Sequence, residues 1–81
     1  MAEITNLFYD REGDVLYLSV GEPQEAISKE IGEDILLRIN PTTGKIVGIT
    51  VLNFVSRFSD LDKQQELPVY AEFRAVEGTL A

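Results

Sequence analysis

The stretch Asn6–Val20 (NLFYDREGDVLYLSV) limits most strongly what this chain can fold into. Two runs rich in aromatic and branched side chains, Leu7–Tyr9 and Val15–Val20, flank Asp10-Arg11-Glu12-Gly13-Asp14. Strand formers on either side of a short block of turn formers spell a β-hairpin. Gly13 is expected to take the positive φ that such a loop needs, with Asp10 and Asp14 hydrogen-bonding the turn backbone.

The same pattern recurs downstream. Ile4–Asp10 and Val15–Val20 form the first two expected strands, and Gly21-Glu22-Pro23 breaks the run because proline cannot donate to a ladder. Glu25–Ile31 reads as a third, more polar strand suited to an edge, with a short helix as the competing reading. Ile35–Asn40 follows, then the turn Pro41-Thr42-Thr43-Gly44, then Lys45–Asn53, in which Gly48 leaves room for a neighbouring backbone or ring. Tight turns at such spacing predict an antiparallel five-stranded meander. Leu16, Leu18, Leu37, Ile39, Ile49 and Val51 are expected on one face, and Leu7, Tyr9, Tyr17 and Leu36 on the other.

Phe54–Leu61 predicts one short helix as a lid, with Phe54, Phe58 and Leu61 on one stripe and Ser59 with Asp62 resembling a capping box. Val69–Val76 alternates again and suits a sixth strand or an arm that pairs with another subunit. The expected class is therefore mainly β (α+β), in one domain over residues 1–81. Its meander core lies at about 4–53, its helix at about 54–61 and its C-terminal extension at 67–77.

An 81-residue domain buries only about 60% of the surface its unfolded chain exposes. No cysteine or histidine is present to add a disulfide or a conventional zinc site. Packing and self-association must then supply the stability, and two apolar sheet faces with one helix to cover them predict a homodimer. Fourteen acids against seven bases give a net charge of −7, which disfavours nucleic acid and anionic membrane and fits a solvated surface or a face that docks a basic protein. Residues 1–40 hold nine of the acids and three of the bases. No apolar run approaches the roughly 20 residues of a membrane span, the N-terminus lacks the layout of a secretory signal, and a cytoplasmic location is expected. Proline voids Asn40-Pro41-Thr42 as a glycosylation acceptor.

Tyr9-Asp10, then Asp14-Val15-Leu16-Tyr17-Leu18, then the strand Ile35–Asn40, a turn and Ile46-Val47-Gly48-Ile49-Thr50-Val51-Leu52 resemble a small bacterial family, domain of unknown function 2283. The resemblance covers about residues 6–59 and lies in order and spacing. Tyr9, Asp10, Asp14, Leu16, Tyr17, Gly48 and Ile49 are the motif positions. Thr50 stands where members commonly carry an acid, Ile35–Ile39 lacks the acid usual in that strand, and residues 60–81 extend beyond the match. The resemblance implies a compact β-rich domain with one helix and no known activity. Some members look like halves of two-gene pairs with a toxin-like partner, which implies protein binding.

Asp10, Glu12 and Asp14 at alternate positions beside Gly13 are the only metal-ligand candidates, and the segment lacks the length, glycine position and bidentate acid of a calcium loop. Turn chemistry explains the same residues. No side chain offers a histidine or cysteine base or nucleophile, Ser19, Ser28, Ser56 and Ser59 have no evident base, and Gly44-Lys45 is not a phosphate loop. Tyr9, Tyr17, Tyr70, Phe8 and Phe73 suit a second apolar layer or a dimer contact better than base stacking, which needs a basic groove. The leading expectation is a non-catalytic protein–protein interaction module without a cofactor, one half of a two-gene toxin–antitoxin-like pair. The alternative is a small-molecule or cation-binding protein that uses the acidic Asp10–Asp14 turn.

Overall fold

The computed structural model describes residues 4–58 and 64–76. Five strands form one antiparallel sheet: β1 (Thr5–Asp10), β2 (Val15–Val20), β3 (Ile27–Gly32), β4 (Ile35–Ile39) and β5 (Ile46–Leu52). Their spatial order is β1-β2-β5-β4-β3, so the sheet is not the simple meander expected from the sequence. A β1–β2 hairpin and a β3–β4–β5 meander join through a β2–β5 seam at the centre.

Side-chain chemistry explains this order. β3 carries exposed Ser28, Lys29 and Glu30, which suit an edge and would be desolvated between β2 and β4. β5 can sit against β2 because Gly48 lacks a side chain. A Cβ there would lie 2.6 Å from the Leu18 carbonyl oxygen, closer than any real contact. The connection 21–26 must pass three strand spacings, about 14 Å, within the reach of six residues. It is pinned where the Gly21 amide donates to the Ile4 carbonyl (2.9 Å) and Asn40 Nδ2 donates to Gln24 Oε1 (2.8 Å).

Register sets which side chains share a face, since directly paired residues project together. On the front face a first row runs Tyr9, Leu16, Val51, Ile35, Gly32 across all five strands, and a second runs Leu7, Leu18, Ile49, Leu37, Lys29. On the back face the matching row is Phe8, Tyr17, Thr50, Leu36, Glu30. Leu7 and Tyr9 therefore belong with Leu16 and Leu18, not with Tyr17 and Leu36 as alternation within single strands suggested. The four residues between Asp10 and Val15 fix this parity by placing Tyr9 opposite Leu16. Two irregularities bend the other end of the sheet: Arg38 pairs with Gly48 but Ile39 with Ile46, and Glu30 pairs with Leu36 but Gly32 with Ile35. Val47 and Ile31 are the extra residues of the resulting bulges.

The core is small. Ile35, Val47 and Val51 are 2, 5 and 4% exposed, and Thr50 is buried on the back face between Tyr17 and Leu36. Burying each of these aliphatic side chains contributes roughly 1.5–3 kcal/mol. The first front row is covered from two directions. The Phe54 ring lies 5.9 Å from that of Tyr9, and Pro68 Cγ lies 3.5 Å from where a Cβ on Gly32 would be.

The expected lid helix is reduced to a single 3₁₀ turn, Val55–Phe58, and the described residues contain no α-helix. Its amides are captured from outside by Asp14, so the turn is held as a short piece. The Ser59 and Asp62 capping residues lie outside the described residues. The described part of Val69–Val76 and its flanks, 64–76, forms no sixth strand. Leu67, Val69, Tyr70 and Phe73 on this segment are exposed, and Arg74 pairs with Glu72 of the same segment. The α+β description thus gives way to a mainly β fold. No helix among the described residues is long and apolar enough to cross a membrane.

Candidate functional site

Tyr9 of the first hairpin and the chain just after β5 converge on one carboxylate, that of Asp14. Asp14, at the end of the β1–β2 turn, adopts φ 57°, a left-handed conformation that aspartate tolerates better than most residues. The expected positive φ at Gly13 is thus taken by its neighbour. A Cβ on Gly13 would approach Asp10 Oδ2 to 3.0 Å, so the glycine serves close packing of the turn.

Asp14 Oδ1 accepts from the Tyr9 hydroxyl at 2.6 Å and from the Val55 amide at 2.8 Å. Its Oδ2 accepts from the Ser56 amide at 3.3 Å and the Ser56 hydroxyl at 3.1 Å, while its backbone carbonyl accepts from the Phe54 amide at 2.9 Å. One residue therefore joins the first hairpin to the chain 41 and 42 residues later, and caps the start of the 3₁₀ turn in doing so. Donation from Tyr9, then from the Val55 amide, holds the Asp14 carboxyl below the usual aspartate value, against a smaller opposing effect of desolvation. The same hydrogen bond, with desolvation and the nearby negative charge, raises the Tyr9 hydroxyl above 10.0.

The other acids of the turn have separate tasks. Asp10 Oδ1 accepts from the Glu12 and Gly13 amides at 3.1 and 3.3 Å, closing the turn, and Glu12 is exposed. Among the described residues no three acids converge as a cation would require. The remaining motif positions are structural in the same way: Leu16 and Ile49 fill the two front rows, Tyr17 stacks on Phe8 at 6.1 Å, and Gly48 admits the β2 backbone. The aromatic residues do not form one patch. Tyr9 with Phe54 lies at the front, Phe8 with Tyr17 at the back, and Tyr70 and Phe73 on the C-terminal arm.

Two open hollows flank the sheet ends. One, of about 420 Å³, is lined by Glu33, Asp34, Asn53, Ser56, Arg57 and Gln65. The other, of about 250 Å³, lies under the β2–β3 connection beside Asn6, Ser19, Glu22, Gln24 and Arg38. Sequence reasoning did not reach Val55 and Ser56 as partners of Asp14, and the only available signal was a serine placed soon after the last strand.

Comparison with curated proteins and with solved structures finds no significant match. The model of the family described as "Protein of unknown function (DUF2283)" matches residues 6–54. That span holds all of the five strands but Thr5, the Asp14 turn and the Phe54 ring that meets Tyr9, and covers 49 of the 81 residues. The chain belongs to the DUF2283 family.

Proposed function

We propose that this domain is a non-catalytic protein–protein interaction module that docks through the front face of its sheet. The observation that carries the reading is the second front row. Leu18, Ile49 and Leu37 are only half-buried and Leu7 is 69% exposed, with no described helix above them. An apolar strip spanning four strands of a domain this small is larger than scattered surface hydrophobes and fits a protein contact. The polar motif residues support the same reading, because both Asp14 oxygens are engaged in holding the turn.

The turn end of the sheet adds a charged rim, with Asp10, Glu12, Asp14, Glu33 and Asp34 against Arg11 and Arg57. Such a rim would steer a basic protein, as in a two-gene toxin–antitoxin-like pair. Co-purification of the full chain at native abundance tests the reading. The expected result is a stoichiometric assembly, with another protein or with further copies of the chain, that is lost in a folded Leu18→Lys variant. An assembly of the same composition and mass with wild type and variant would overturn it.

A further inference from the structure

We propose that the partner on the front face is a second copy of this chain, packed sheet on sheet, with the C-terminal arm of each copy lying across the other. This inference rests on the interaction-module reading above.

Charge argues for a self-contact. The chain carries −7, yet the two front rows contain one charged side chain, Lys29 at the β3 edge, and no acid. A face without acids meets its own image without repulsion. The back face, by contrast, bears Asp10, Glu30 and Arg38.

Area argues for the arm. Five strands of about six residues make a face of roughly 24 by 20 Å. Even the whole of that face, about 480 Å², falls well short of the roughly 800 Å² per partner of a stable interface. The arm carries Tyr70 and Phe73 at 91 and 92% exposure, with Leu67 and Val69 beside them. Two exposed aromatic side chains add about 400 Å² and bring the total near the standard size. The arm also starts in the right place, because Pro68 already lies against Gly32 at the end of the first front row. From there to Phe73, extended chain reaches about 16 Å. Packed sheets lie about 10 Å apart, so the second sheet is within reach.

Sedimentation equilibrium of the full chain from about 1 to 200 µM tests the proposal, with twice the chain mass expected. Leu7→Lys and the double variant Tyr70→Ser/Phe73→Ser change side chains that are largely exposed in the single chain, so both should keep the wild-type circular dichroism. Each should weaken the dimer by about tenfold or more. A dimer that neither variant weakens, or a monomer at 200 µM, overturns the proposal. A monomer that still captures a different protein in a Leu18-dependent way overturns only the second-copy assignment. A monomer that captures none overturns the interaction-module reading as well.

Discussion

Asp14 and Asp34 hold the same backbone post on opposite sides of β5. Each ends a hairpin turn in the left-handed region, at φ 57° and 61°, and each precedes a strand that pairs with β5. Each also offers its carbonyl to an amide at or just beyond the end of β5: the Phe54 amide donates to Asp14 at 2.9 Å and the Leu52 amide to Asp34 at 2.7 Å. Their carboxylates differ. Asp14 gathers four donors from three residues, whereas Asp34 Oδ2 accepts one exposed amide, Asn53 Nδ2, at 3.2 Å. The Asp34 post needs only a residue tolerant of positive φ, and the Asp14 post needs the carboxylate as well.

The strongest way to break this comparison is to remove the seam that both turns flank. Gly48→Ala places a Cβ against the Leu18 backbone carbonyl, which no side-chain rotation can relieve. It should cost about 3 kcal/mol or more, at the upper end of overpacking effects, read as the urea midpoint of unfolding. Next, glycine at the two posts should act unequally. Asp14→Gly suits the backbone but abandons four donors, and should lower Tm by about 4–8 °C. Asp34→Gly should leave Tm within about 2 °C of wild type, because relief of the left-handed strain offsets the added freedom of the unfolded chain. Equal losses at the two sites would erase the distinction.

Titration sharpens it further. The Asp14 carboxyl is held below 3.8, so its contribution is full above that pH and is lost as pH falls through the depressed value. The Tyr9 hydroxyl is raised above 10.0, so its share is full below pH 10 and is lost as pH rises through the raised value. Urea unfolding across pH should therefore show an acid limb that Asp14→Asn flattens. The smallest expected effect is spectroscopic. In Asp14→Asn the phenolate absorbance of Tyr9, isolated by difference from Tyr9→Phe, should appear at lower pH than in wild type.

Much of the sheet was legible in the sequence because its signals are local. Alternation marked all five strands to within two residues, and Pro41–Gly44 announced its turn. There Asn40 Oδ1 accepts from the Thr42 and Thr43 amides, and Gly44 takes φ 75°. Gly48 was readable as a point of close approach because a glycine inside a branched run has few other uses. Strand order was not readable, since a period of two tells which side chains share a face but not which strand lies alongside. The face of Leu7 and Tyr9 depended on the number of residues in the turn, which composition leaves open. The lid was misjudged because helix-like spacing at Phe54, Phe58 and Leu61 says nothing of a carboxylate some 40 residues away that takes up the first amides. At the candidate site the tyrosine and the aspartates were visible and their shared target was not.

The central position of β5 has a consequence for synthesis. β2 leaves the ribosome some 30 residues before the strand it must lie beside, which at about 5–20 residues per second is a wait of roughly 2–6 s. During that interval Leu16 and Leu18 have only the β1 hairpin for company, so the newborn chain is at its stickiest between the emergence of β2 and that of β5.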